Sequence, residues 1–425
     1  MKIVFLTANP FTDAVWTETR PYKQALALLQ AGHEVVILGT GKYGQDPPRE
    51  EVKFGFLIIR RPTLLHRLYS LLLRGKSKES RGGRKRQAYY EPSTRRFGHR
   101  LLDHFLQFMH DVNNLLFCVA ILPQAVRQKG DVYIGTGLPG LLPGFLAARL
   151  TRARLVYDSL ELWTEQIRRV PYGPVHKKVV SWVERYLCRR CDLVISISES
   201  VAEILADRYS IAKPLVIPNV QPFTDTSSSK EVRTRLASSA SSRVAAYVGY
   251  LNLDRGLEQL IEAVQYLDEG INIAIIGDGV LRRKLESLAA QLKVEHRVRF
   301  IGWVTPEELP MHLASADLGV APTQRTCLSY LTTLDNKLFS YIVAGLPLAV
   351  SDHPEKRRLV ETYGIGAVFD ERDPRDIARV INDLLSDPVR YQAMRERAAK
   401  VGREELNWEA IAPRYVAAIE QLQGR

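Results

Sequence analysis

Short apolar runs alternate along this chain with longer stretches whose apolar positions recur every three or four residues. The first pattern fits buried strands and the second fits amphipathic helices. In the first half, strands are expected at Ile3–Leu6, His33–Leu38, Val52–Ile59, Val132–Ile134, Leu155–Asp158, Leu193–Ser198 and Leu215–Ile217. Helices are expected at Thr19–Gln30, Leu141–Leu150, Val175–Leu187 and Val201–Tyr209. A second series begins at Val244–Gly249 and continues through Ile271–Ile276, Val298–Ile301, Leu318–Ala321, Leu346–Ser351 and Gly366–Phe369, with helical patterns between. Strand–helix alternation implies parallel βαβ units and a sheet covered on both faces. The expected class is α/β, with two doubly wound Rossmann-like domains facing a cleft. Ligands in such sheets bind at the carboxyl ends of the strands, where the strand order reverses.

The seam between the two series is compositional. Gln221–Ser242 is rich in Ser and Thr and poor in apolar residues, which reads as a boundary with an interdomain linker. The expected division is residues 1–220, residues 221–405, and a terminal helix over 406–425 that packs back toward the first domain.

Composition narrows the class further. The 425 residues are 46% hydrophobic and 25% charged, which excludes a disordered chain, a collagen or a coiled-coil rod. No apolar run approaches the roughly 20 residues of a membrane span. The start of the chain reads as a buried strand rather than an export signal, so a cytoplasmic location is expected. The four Cys are too few for a disulfide framework, and Cys188-x-x-Cys191 reads as a helix end running into a strand.

Charge changes the picture most. The net charge is +12, and residues 60–130 hold fifteen Lys/Arg against four Asp/Glu. Within that insertion Leu64, Leu65, Leu68, Leu71 and Leu72 have helical spacing. The basic run Arg74–Arg86 follows. Phe97, Leu101, Phe105, Phe108, Val112, Leu115 and Val119 then form one expected helix face. A basic amphipathic segment suits an anionic membrane surface at the inner face of the membrane. The alternative is core-facing helices with a solvated basic loop. No nucleic-acid motif accompanies the charge, so no nucleic-acid partner is expected.

Three motifs bear on chemistry. Gly277-Asp278-Gly279 lies between a strand and a helix, where glycines let backbone approach a phosphate or a base, or simply make a tight turn. Arg282 stands where a dinucleotide fingerprint needs its third glycine, which disfavours NAD. In YVGYLNLDRG (247–256), Gly249 is followed by Arg255 and Gly256 at a helix start, suited to a diphosphate. In TLDNKLFSYIVAG (333–345), Asn336 and Lys337 open a helix, and Lys337 can neutralise the same phosphates. No Asp-x-Asp is present, and neither a metal nor a cofactor is expected.

Taken in order, YVGYLNLDRGLEQLIEA, IGDG, VRFIGWVTPEELP, ADLGVAP, DNKLFSYIVAGLP and GIGAVFD resemble glycosyltransferase family 4, retaining enzymes of the GT-B fold. LVYDSLELWTE (155–165) and DLVISISES…VIPNV (192–220) extend the likeness, more loosely, into the first half. The resemblance implies a nucleotide-diphosphate sugar held by the second domain, and a hydroxyl acceptor, a glycan or lipid-linked molecule, entering from the first. Arg255 and Lys337 then meet the diphosphate. The Gly277–Gly279 turn and the Gly302–Val304 backbone frame the base. Gly249, Thr332, Asn336 and Ser340 complete the donor set, and the loop 323–332 faces the sugar. Asp158 and Glu161 are the carboxylates near the implied sugar position. They position the acceptor or act as base, or they only cap the next turn.

The departures from the family are specific. Ser340 stands where a Glu usually accepts from the ribose diol, and Thr332 replaces an earlier Glu. Leu160 replaces a His, Thr136-Gly137 replaces a His-Asp pair, and the loop Ala8–Phe11 has no glycine. A charged hydrogen bond contributes about 1.5–3 kcal/mol, so Ser340 is expected to weaken nucleotide binding about 10–100-fold. Two readings stand beside sugar transfer: a glycosyltransferase-like partner subunit without turnover, and an epimerase or phosphorylase on the same fold.

Overall fold

The computed structural model describes residues 1–8, 19–40, 49–53, 55–61, 63, 97–166, 173–237, 239 and 241–423. The leucine-spaced stretch 64–72, the basic run 74–86 and residues 9–11 of the first loop lie outside them. Contacts divide the chain into two units, residues 1–218 with 412–425, and residues 219–411.

The first unit is built on an eight-stranded sheet. Its strands are β1 (Lys2–Thr7), β2 (Glu34–Gly39), β3 (Arg49–Lys53), β4 (Phe56–Arg60), β5 (Val132–Thr136), β6 (Arg154–Ser159), β7 (Leu193–Ser196) and β8 (Leu215–Val216). The order is β3-β4-β2-β1-β5-β6-β7-β8, and every pairing but β3–β4 is parallel. Ile3, Val4, Phe5 and Leu6 are wholly buried, as the continuous apolar run requires of a strand covered on both faces. The single strand expected at Val52–Ile59 is instead an antiparallel hairpin. Gly55, at φ +90°, sits in its reversal. The helix Gly137–Thr151 lies tight on the sheet: a Cβ on Gly140 would stand 2.2 Å from the Leu6 carbonyl oxygen.

Two other helices refine the sequence reading. In Phe97–Gln128, Phe117, Ile121 and Ala125 are buried, whereas Leu115 and Val119 are exposed. The expected face ran through Leu115 and Val119; from residue 111 on, the buried side chains fall two residues on, on the opposite side, while the side chains of the expected face at 97–108 lie outside the described residues. The helix Pro174–Cys188 turns Glu184, Leu187 and Cys188 inward. Tyr157 and Tyr209 each donate to the Glu184 carboxylate at 2.7 Å, and burial pushes that carboxyl above its ordinary range. Cys188 ends this helix and Cys191 precedes β7; both are free thiols that burial pushes well up.

The second unit carries a six-stranded parallel sheet. Its strands are β9 (Arg243–Val248), β10 (Ile271–Ile276), β11 (Val298–Gly302), β12 (Leu318–Ala321), β13 (Leu348–Ser351) and β14 (Gly366–Phe369), in the order β11-β10-β9-β12-β13-β14. The order reverses at β9, so the crevice expected of a doubly wound sheet falls at the carboxyl ends of β9 and β12. Helix Pro374–Ser386 lays Ile377, Ile381, Leu384 and Leu385 on the core formed with Tyr247, Ile273, Leu318 and Ala349. The Ser-rich seam is not all linker. The Ser229 hydroxyl accepts from the Val232 amide and starts a helix, Lys230–Leu236, that buries Val232 and Leu236.

Among the described residues no helix is long and apolar enough to cross a membrane, and no His, Cys, Asp and Glu cluster could hold a metal ion.

Candidate functional site

Three loops meet at the carboxyl end of the second sheet. The Gly277 amide donates to the Gly302 carbonyl at 2.8 Å, the Gly249 amide to Ile276, and the Leu251 amide to Asp278. Gly277 has φ +140°, and a Cβ there would lie 2.0 Å from the Gly249 carbonyl oxygen; one on Gly279 would lie 2.4 Å from that of Leu251. These glycines are therefore required first by loop against loop, a reason the sequence motif could not disclose. Val304 is half-buried just past β11. The sequence reading missed an aromatic pair on this rim: Tyr250 and Trp303 are exposed, with ring centroids 6.1 Å apart. Neither is remarkable alone. The pairing of β9, β10 and β11 brings their loops together.

Beside these loops lies a concentration of charge around Asp335. Lys356 Nζ is 3.0 Å from its Oδ2, and the Thr323 hydroxyl donates to the same oxygen at 2.8 Å. Arg255 is 3.4 Å from Oδ1 and lies over the Tyr330 ring at 4.9 Å. Lys337, first turn of the helix Asn336–Val343, holds Nζ 3.9 Å above the Tyr247 ring and close to Gly249. Burial works against ionisation of Asp335, yet Lys356, Lys337 and Arg255 outweigh it and hold the carboxyl well below the usual range. Three cationic side chains thus surround one carboxylate. Burial pushes the Lys337 ammonium down to about 7, Arg255 and Lys356 push the same way, and Asp335 opposes them. Desolvation is the main cause of that depression, and three cations stand about one carboxylate at a helix start, an arrangement that suits an anionic group.

Asp335 and Lys356 were not singled out in the sequence. Asp335 stands inside the quoted TLDNKLF motif. Lys356 shares the buried face of helix Pro354–Tyr363 with Leu359 and Val360, and a Lys at apolar spacing is itself a signal. His353 adjoins the cluster, fully buried, with Nδ1 3.0 Å from the Tyr330 carbonyl.

The other expected donor residues are distributed unevenly. Asn336 is exposed and its Oδ1 accepts from Asn219 at 2.9 Å. Ser340 is one turn further along the same helix, its hydroxyl 3.5 Å from the Asn336 carbonyl. Thr332 is buried, and its hydroxyl donates to the Leu328 carbonyl of its own helix at 2.9 Å.

Asp158, in the first unit, is a correction. It is wholly buried, and both its oxygens are engaged by the Arg20 guanidinium at 2.9–3.1 Å and by Gln24 at 3.0 Å. Arg20 also donates to the Ile217 carbonyl, so this pair ties the Arg20–Gln30 helix to β6 and the end of β8. A carboxylate so saturated is an anchor, not a base. Glu161, just beyond β6, is half-buried, and the Ser159 hydroxyl reaches its carbonyl at 3.3 Å. Leu160 is half-buried between them, and Thr136 and Gly137 join β5 to the next helix, so no imidazole stands at either place.

Two sheets, one in each unit, parallel but for the β3–β4 edge pair and alternating with helices, define the α/β architecture called GT-B. Solved structures share it. Sucrose-phosphate synthase from Thermosynechococcus elongatus aligns with a TM-score of 0.72 at 17% identity over 100% of this chain and 99% of that one. HepE from Anabaena in complex with UDP aligns with a TM-score of 0.67 at 15% identity over 99% of this chain and 100% of that one. The family models for glycosyl transferases group 1 and for the glycosyl transferase 4-like domain match residues 228–401 and 17–220. The chain therefore belongs to the group 1, family 4-type glycosyltransferases. Among curated relatives, the lipopolysaccharide core biosynthesis glycosyltransferase LpsE of Rhizobium meliloti is 28% identical over 54% of this chain and 64% of its own length. An uncharacterized glycosyltransferase of Methanocaldococcus jannaschii is 28% identical over 41% of this chain and 44% of its own. The matched region thus spans between two fifths and two thirds of these relatives.

Proposed function

We propose that this protein is a retaining glycosyltransferase that moves a sugar from a nucleotide-diphosphate sugar to a hydroxyl acceptor, a lipid-linked or envelope glycan. The observation that carries the reading is the excess of cationic groups around Asp335, at the carboxyl end of the second sheet. Arg255 and Lys337 face the diphosphate there, and Lys356 keeps Asp335 ionised. Preorganised positive charge acts on the charge that develops on the leaving diphosphate. The bond from the anomeric carbon to the diphosphate oxygen breaks, and the acceptor oxygen bonds to that carbon on the same face. The acceptor proton passes to the departing diphosphate, which leaves as nucleoside diphosphate. No enzyme nucleophile is needed, and no metal or cofactor enters. Glu161 is the remaining carboxylate proposed to orient the acceptor. Solved structures of this fold hold UDP and UDP-glucose, which puts uridine donors first in any screen. The basic character of residues 60–130 supports an acceptor presented at an anionic membrane surface.

The second reading, a partner subunit that binds without turnover, is favoured by Ser340, by the inward Thr332 and by the missing imidazoles at Leu160 and Thr136-Gly137. Calorimetric titration with UDP, GDP, ADP, CDP and dTDP and their sugars separates the readings from an empty fold. Saturable binding of one, lost in Arg255→Ala, supports a donor site, and sugar transfer by the purified chain ends the partner reading. Conversion of the donor without an acceptor points to the epimerase alternative. Full transfer by Arg255→Ala would sink the assignment of the diphosphate site.

A further inference from the structure

We infer that the outer face of helix Pro174–Cys188 docks on an anionic phospholipid bilayer. The inference builds on the membrane-associated acceptor proposed above and moves the contact from the basic insertion to a folded helix. Val175, Val179, Trp182 and Tyr186 are spaced i, i+4, i+7 and i+11, so they fall within an arc of about 60° on one side. All four are exposed, Val175 at 75% and Trp182 at 65%. The opposite side is spent on the core through Glu184, Leu187 and Cys188. The rotation of the helix is thus fixed, and the stripe has no part in the core. A solvent face is ordinarily polar.

The stripe ends in two aromatic rings and is flanked by basic groups. Trp182 stacks on Tyr186 with centroids 5.9 Å apart, Phe145 of the neighbouring helix meets Tyr186 edge-on, and Arg190 lies 3.5 Å above the Tyr186 ring. Lys178 and Arg185 flank the stripe on one side, Arg189 and Arg190 follow it at the helix end, and the one acid of the segment, Glu184, points into the core. Lys177 and Arg208 share Glu165 at 2.8 and 3.1 Å, while Lys178 and Arg185 have no carboxylate partner among the described residues. Lys177, Lys178, Arg185 and Arg208 border a cavity of about 560 Å³ beside Trp182. Rings that sit at headgroup depth, with Lys and Arg reaching the phosphates, match this face. A polyanion dissolved in water gives four large apolar side chains nothing to enter, so the charge and the stripe together select a bilayer.

The test is co-sedimentation of the full chain with phosphatidylcholine vesicles, with and without phosphatidylglycerol. Binding is expected only with the anionic lipid and should weaken with salt. The pair Trp182→Ser and Tyr186→Ser should lower it about tenfold by removing the inserted surface. Lys178→Glu with Arg185→Glu should lower it at least roughly fivefold per residue. A chain lacking 74–86 should still bind. Nucleotide-sugar binding, measured by calorimetry on each variant, should be unchanged; it reports folding, and reports the donor reading independently of the vesicles. The inference is overturned if the stripe variant binds vesicles like its parent, or if deletion of 74–86 alone abolishes binding. It is also overturned if the stripe variant only turns a dimer into a monomer in sedimentation velocity, which would make a second copy the occupant.

Discussion

Lys337 gives the sharpest consequence. Its ammonium is held down to about 7 because it is desolvated beside Arg255 and Lys356, with only Asp335 opposing. A diphosphate charge about 4 Å away, at an effective dielectric near 20, contributes about 4 kcal/mol. That is enough to return the Lys337 amine in the occupied site to its ordinary protonated state. Lys337 is then about one-tenth protonated at pH 8 in the free protein and almost wholly protonated when the donor is bound. Donor binding should therefore take up about 0.9 proton at pH 8 and about 0.1 at pH 6. By the same linkage the Kd should rise about tenfold from pH 6 to pH 8. The assay is calorimetry with the intact nucleotide sugar, whose diphosphate does not titrate in this range, in buffers of different ionisation enthalpy. Lys337→Met should bind more weakly and lose both the proton uptake and the pH slope. Saturable binding without uptake at pH 8, or uptake that survives in Lys337→Met, refutes the placement of the diphosphate.

Three further outcomes follow from the geometry. Asp158→Asn leaves the buried Arg20 without its counter-charge and should destabilise the first unit by about 3–5 kcal/mol, read as a lowered urea midpoint for its transition; a shift under 1 kcal/mol would contradict the anchor role. His353 is buried and held down to about 4 in the folded chain, whereas unfolded His titrates near 6.5. The unfolded chain thus binds more protons between these values, so stability should fall by about 3 kcal/mol as pH drops from 6.5 to 4, and His353→Gln should flatten that window. Ser340→Glu supplies a charged acceptor at a half-buried position one turn after Asn336 and should tighten donor binding about 10–100-fold; no change in Kd would place the ribose elsewhere.

Residues close in sequence made much of this protein legible. The period of apolar positions is local, so the strands and helices of both sheets could be read from it, from Ile3–Leu6 to Gly366–Phe369. Arg255 and Lys337 were visible because each stands at a helix start next to a strand, and the matched motifs gave the family. Errors came where distant partners decide. The run 52–59 looks continuous, but Gly55 reverses it, and β4 pairs with β2 on its other edge. Ser-rich composition hid the helix at Lys230–Leu236, whose stability comes from a cap and two buried side chains.

Sequence alone determined the α/β class, the two-sheet organisation and the family, and it singled out Arg255 and Lys337, because these rest on short-range periodicity and on motif identity. Tertiary structure alone decided what those groups can do. It buried Asp158 under Arg20, 138 residues away, turning a candidate base into an anchor. It set Lys356 against Asp335 and Lys337 against the Tyr247 ring, and the local dielectric and neighbouring charges there fix which groups ionise. It also turned the aromatic stripe of helix Pro174–Cys188 outward, because Glu184 and Leu187 claimed the core. Charge state and exposure depend on what surrounds a side chain in space, and for these residues that surrounding comes from segments far away in the chain.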